Sequence, residues 1–255
     1  MQVYDQRERE WKAYERYRAG LYLSTYRQVQ TRFRAEATAL AAELQAGGTP
    51  AQGMERALAA LTDQQDEWWI LYARIYQAVG RTFAELEYGR LMKAESEVVD
   101  EWADQMDTYL HTVAGQRIVG IQSTTLQQVR RVLAEGVQEG EGIPALARRV
   151  RDTYEGISRV RSMRIARTEV VGASNRGAMV GARSTGLPLE KDWLATPGAR
   201  TRETHVAAGA ADPIPMDGLF LVGGCQLEHP GDTSHGASAA EIINCRCAVT
   251  FRKAA

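Results

Sequence analysis

The sequence predicts an α+β protein: a long, mostly helical N-terminal region followed by a small C-terminal domain of helices and short antiparallel strands. Three observations carry this. Apolar and aromatic residues recur at three- to four-residue spacing through the first half. Gly-containing breaks such as Gly47-Gly48-Thr49-Pro50 and Glu139-Gly140-Glu141-Gly142 punctuate that period. From Leu187 to Lys253, short apolar runs between glycines and prolines replace it. The 255 residues can bury one large core or two small ones, and 44% hydrophobic with 25% charged residues is an ordinary folded composition.

Taken in order, Trp11, Tyr14, Tyr17 (or Arg18) and Leu21 mark the first helix, and Leu40 and Leu44 continue it. Thr49 reads as an N-cap with Pro50 at the first helical position. Thr62 and Gln65 have the capping-box spacing of a further helix start. Beyond it, Trp68, Leu71, Tyr72, Ile75, Tyr76, Val79, Phe83 and Leu86 trace a broad apolar face. The pattern extends through Val98, Trp102, Met106 and Leu110. Aromatic residues at this period read as core or as a helix interface and not as a base-stacking platform. Ser123 and Thr124 open a helix bearing Leu126, Val129, Leu133 and Val137, and Pro144 begins a short one that Gly156 can terminate. Ser158 then caps a longer helix to about Ser184, with Gly186 and Pro188 as stop signals. Leu219-Phe220-Leu221-Val222 and Cys247-Ala248-Val249-Thr250-Phe251 read as strands.

The net charge of -1 conceals an uneven layout. Residues 1–115 carry 13 Lys/Arg against 18 Asp/Glu, residues 116–190 carry 12 against 7, and the last 65 are near balance with 6 against 7. No apolar stretch reaches membrane-span length, and the N-terminus has no secretory core. The three cysteines lie in the last 31 residues. That is not a disulfide framework, and a reducing cytoplasm is the expected place of synthesis.

Two groups of residues can carry chemistry. Arg148, Arg149, Arg151, Arg159, Arg161, Arg164 and Arg176 are a basic set suited to phosphates or to an acidic partner subunit, with a solvated helix face as the plain alternative. Arg167 and Glu169, two apart on a helix, point to different faces and so each ties to a neighbour. The second group is C-terminal. Cys245 and Cys247, two apart, put both sulfurs on one face of a strand, and with His205 they supply three zinc-type ligands that Cys225 or His229 completes. The competing readings are a metal-free buried thiol pair and a Cys-His hydrolase. No GxSxG, HExxH or P-loop pattern accompanies them. An enzyme is therefore not expected, and zinc is the only cofactor with a ligand set.

In order, the second half reads Ile165-Ala166-Arg167-Thr168-Glu169, Asn175-Arg176-Gly177, Lys191-Asp192-Trp193, Arg200-Thr201-Arg202 with His205, Pro215-Met216-Asp217-Gly218, His229-Pro230-Gly231-Asp232 and Asn244-Cys245-Arg246-Cys247. This ordered set resembles the phage Mu F-like head morphogenesis family, minor head proteins also typified by the product of Bacillus phage SPP1 gene seven. The resemblance covers about residues 120–252. It implies a domain over 116–255, with helices in 123–186 and a strand- and loop-rich part in 187–253, preceded by a helical arm over 1–115 that docks on portal or capsid. It further implies a virion component at the portal vertex or in the head interior, assembled in the host cytoplasm with no membrane. Its expected partners are the portal protein, the major capsid or scaffolding protein and packaged double-stranded DNA. Arg167, Glu169, Trp193, Arg200, Arg202, His205, Asn244, Cys245, Arg246 and Cys247 carry structural roles under this resemblance, none of them catalytic. The alternatives are an internal DNA-binding virion protein using the arginines of 148–183, or a zinc- or thiol-dependent hydrolase.

Overall fold

The computed structural model of the chain describes residues 2–93 and 99–254. Long helices come first: α1 (Gln2–Gln45), α2 (Pro50–Asp63), α3 (Gln65–Met92) and α4 (Val99–Tyr109). A π-helical turn (Leu110–Ala114) leads into α5 (Gly115–Gln138), and α6 (Ile143–Arg183) follows. The rest is β1 (Leu189–Leu194), α7 (Glu203–Ala210), β2 (Ile214–Pro215), β3 (Phe220–Val222), β4 (Cys225–Leu227), α8 (Ala239–Ile242) and β5 (Ala248–Lys253). The expected α+β class is what the chain adopts. Among the described residues no helix is long and apolar enough to cross a membrane.

The chain divides by packing into two units, each assembled from separated stretches. One gathers Tyr26–Tyr72 and Ala114–Met163; the other gathers Met1–Thr25, Ala73–Val113 and Arg164–Ala255. The first is all helical. Phe33, Leu40, Leu44, Leu61, Trp68, Val129, Leu133, Leu146 and Val150 form its core. Within that core Glu36 accepts hydrogen bonds from the Trp68 indole at 2.5 Å and the Tyr154 hydroxyl at 3.3 Å, while burial raises its pKa. Thr49 and Gln52 form the reciprocal capping box at the start of α2.

In the second unit, β1 lies between β2 and β5, antiparallel to both, with Trp193 opposite Val249 and Lys191 opposite Phe251. A two-residue Gly223-Gly224 turn, both at positive φ, joins β3 to β4. Ala178, Met179 and Ala182 of α6 pack on Leu189, Trp193, Phe220, Val222 and Val249, so the helix and the strands share one core. On its other side α6 meets α3 backbone to backbone. A Cβ on Gly177 would lie 2.0 Å from the Gly80 carbonyl oxygen, and one on Gly181 2.2 Å from that of Ala84.

Several local expectations are corrected. Gly156 and Ser158 do not divide a helix, because α6 runs unbroken from Ile143 to Arg183. An interior glycine costs only about 1 kcal/mol, which packing on both sides of it exceeds. Ser123 and Thr124 do not open a helix: α5 begins at Gly115, and the Thr124 hydroxyl donates back to the Gly120 carbonyl. Thr62 likewise donates to Leu58 and is no cap, although α2 and α3 do part at Gln64. The expected strands are seen as β3 and β5, whereas Val98 lies outside the described residues.

The two kinds of helical glycine separate cleanly. Gly177→Ala is expected to lower the unfolding free energy by about 3 kcal/mol, since backbone must move to admit the methyl. Gly156→Ala, with nothing within 4 Å, is expected to raise it by roughly 0.5–1 kcal/mol. Urea denaturation of the two variants measures both.

Candidate functional site

The site is built where the chain before β5 turns over the start of α7. Asn244 adopts a left-handed φ of 62°, which asparagine tolerates, and this turn aims the sulfurs of Cys245 and Cys247 the same way. The expected strand placement is thereby corrected: both cysteines precede β5, and the turn, not a strand pleat, brings them together. His205 enters from the first turn of α7. Its Nδ1 lies 3.3 Å from Cys247 Sγ and 3.6 Å from Cys245 Sγ. Its Nε2 lies 3.0 Å from a Glu241 carboxylate oxygen that also accepts the Thr204 hydroxyl at 2.8 Å. The three ligand-type atoms lie within 4.8 Å of one another, and all three side chains are buried. Trp193 closes the site, its ring edge-on to His205 with centroids 5.4 Å apart.

Cys225, expected as a fourth ligand, is not in this group. Its sulfur accepts the Ser238 amide at 3.5 Å, and the residue is half-buried. His229 is elsewhere as well, buried against the Tyr109 ring with Nδ1 on the Pro230 carbonyl. Contact between the two sulfurs drives their acidities apart. For Cys247, hydrogen bonding from Cys245 and then from His205 outweighs burial and holds the thiol well below its ordinary pKa. For Cys245, that same contact and burial both push upward.

The motif residues around the cluster serve as clasps. Arg167 donates to Asn244 Oδ1 at 2.6 Å, Thr168 Oγ1 accepts the Asn244 amide at 3.0 Å, and Arg202 donates to the Ile243 carbonyl at 2.7 Å. Glu169 faces the other way and accepts the Tyr76 hydroxyl at 3.0 Å. Arg246 lies over the Trp11 ring with Glu15 at 3.7 Å. Arg200 is exposed.

Two residues have structural roles that the sequence did not assign. Arg18, fully buried, donates to Ser174 Oγ (2.9 Å), to the Arg246 and Cys247 carbonyls (3.2 Å each) and to Asn175 Oδ1 (3.0 Å). Asn175 Nδ2 donates to the carbonyls of Pro230 and Cys247, and its Oδ1 accepts the Val249 amide. The signals were Asn175's place in the Asn175-Arg176-Gly177 motif and Arg18's apolar stripe position, which fits a buried, fully paired guanidinium.

The basic set divides into internally paired and exposed members. Arg149 is paired with Glu139 and Glu141, Arg161 donates to the Ile121 carbonyl and covers Phe33, and Arg176 pairs with Glu228. Arg148, Arg151, Arg159 and Arg164 remain exposed, without an ion pair among the described residues. Exposed Asp152 and Glu155 share the helix face of Arg148, Arg151 and Arg159 at these spacings.

Lys191 gives the region a pH signature. It is buried with Nζ donating to the Glu228 carbonyl at 2.9 Å, and burial lowers its pKa to about 8. An unfolded lysine titrates near ~10.4, so between about pH 8 and that value the unfolded chain binds more protons and stability rises with pH. Lys191→Met is expected to remove this rise and to be more stable than wild type by about 2 kcal/mol at neutral pH. Urea titrations of both proteins from neutral to alkaline pH test this.

Residues 127–250 match the family model described as Phage Mu protein F like protein. An NAD(+)--arginine ADP-ribosyltransferase, EFV, of Enterococcus faecalis is 29% identical over 135 residues, which is 52% of this chain. The chain spans 27% of that relative's length. No solved structure matches the chain. The clasped turn and its cysteine-histidine cluster fall inside the matched segment, so it is this part of the chain that is similar to the Phage Mu protein F like family.

Proposed function

We propose that this chain is a minor head protein of a tailed phage that binds the portal vertex or the capsid interior and aids head morphogenesis, DNA packaging or ejection. The observation that carries the reading is the family match over residues 127–250. The partners it implies are the portal protein and the major capsid or scaffolding protein, and the implied location is the virion. The role is one of assembly and not of catalysis. In support, His205, Cys245 and Cys247 are 1–2% exposed, which leaves no path for a substrate to the Cys247 sulfur. A cleft of about 390 Å³ in the same unit is lined by other residues, among them Arg176, Arg183 and Glu228, and its charges neutralise one another. The transferase activity named for the Enterococcus relative belongs to that protein, most of which lies outside the match.

Direct DNA binding is the weaker reading, because three of the seven arginines are engaged internally and acidic side chains interleave with three of the rest. Full-length protein mixed with purified portal is expected to co-sediment with it. Absence of association with portal, procapsid or scaffold would overturn the proposal. A DNA affinity falling steeply with salt would favour phosphate binding in its place.

A further inference from the structure

We propose that His205, Cys245 and Cys247 hold a zinc ion through Nδ1 and two thiolates, with Glu241 as the carboxylate that orients the imidazole. The spacing fits the ion. Tetrahedral zinc with bonds of about 2.3 Å to sulfur and about 2.0 Å to nitrogen sets nitrogen and sulfur about 3.6 Å apart. The two observed separations are 3.3 and 3.6 Å. The imidazole is also turned the right way. Nε2–H donates to Glu241 at 3.0 Å, which leaves the Nδ1 lone pair facing both sulfurs. A histidine bound to a metal commonly gives its second nitrogen to a carboxylate in this manner.

Cys247's own amide donates to Cys245 Sγ at 3.3 Å, an arrangement that stabilises a thiolate. Three ligand-type atoms converge within 4.8 Å in a buried site, and a dication would neutralise two thiolates and use all three lone pairs. Thr196 Oγ1, 3.7 Å from Cys247 Sγ, is the neighbouring oxygen beside the cluster. The ion thus staples the first turn of α7 to the segment entering β5, a structural role in keeping with the burial of all three ligands.

The test is elemental analysis of the full-length chain, purified under reducing conditions, equilibrated with zinc and freed of unbound ion. The expected result is about one zinc per chain, kept in Cys225→Ser and lost in Cys247→Ser and His205→Ala. Glu241→Gln supplies a second arm that does not depend on the folding of those two variants: it is expected to stay folded and to bind zinc about 10–100-fold more weakly. Cobalt(II) in place of zinc is expected to give a thiolate charge-transfer absorption. Wild-type protein with no stoichiometric metal, a different transition metal in preference to zinc, or equal loss in Cys225→Ser would each overturn the assignment. So would unchanged affinity in Glu241→Gln. A metal-free chain whose Cys247 is alkylated faster than a free thiol would point to a nucleophile.

Discussion

A guanidinium taken fully out of water must find acceptors for its donors, and Arg18 finds them only in the assembled unit. Its partners are a serine and an asparagine on α6 and two consecutive carbonyls of the cysteine-bearing turn. None of those acceptors is placed unless α6 and the chain before β5 are already side by side. Tyr14 and Phe83 flank the guanidinium at 5.7 Å, so apolar packing and hydrogen bonding select the same position. The neighbouring contacts run along one face of α1. Arg7 reaches Asp192 and the Trp193 carbonyl, and Trp11 donates to the Arg246 carbonyl. The start of α1 is thus part of the core that holds the family segment, although it lies outside the matched residues.

That arrangement explains what the sequence conveyed and what it did not. Helical period and capping chemistry are local, so the helices and the Thr49 cap were legible, as were the strands within 219–222 and 247–251. Gly156 was misleading because its weak local cost is overruled by packing. The partners of Arg18 lie more than 150 residues away, and nothing near position 18 reveals them. In the cysteine cluster, His205, Cys245 and Cys247 were identifiable by type. Glu241 was not, since its role depends on α8 meeting α7, and Cys225 was grouped with them by residue type alone.

The arginine-rich helix shows that composition does not fix side-chain contacts. Arg149, Arg161 and Arg176 are committed to carboxylates, a carbonyl and aromatic rings within their own units. The clasped turn carries the opposite lesson. Asn244, Cys245, Arg246 and Cys247 are held by Arg167, Thr168, Arg18, Asn175 and His205. Such a network makes the turn a rigid element, and a metal at its centre would stiffen it further.

The central claim is that the α1 arginine and the α6 asparagine act as one clasp. A double-mutant cycle in unfolding free energy, using Arg18→Met and Asn175→Leu singly and together in the full chain, addresses it most directly. The account predicts a coupling of about 1–3 kcal/mol between the two sites. Additivity within about 0.5 kcal/mol would contradict it, and would mean that the N-terminal helix merely lies against the domain.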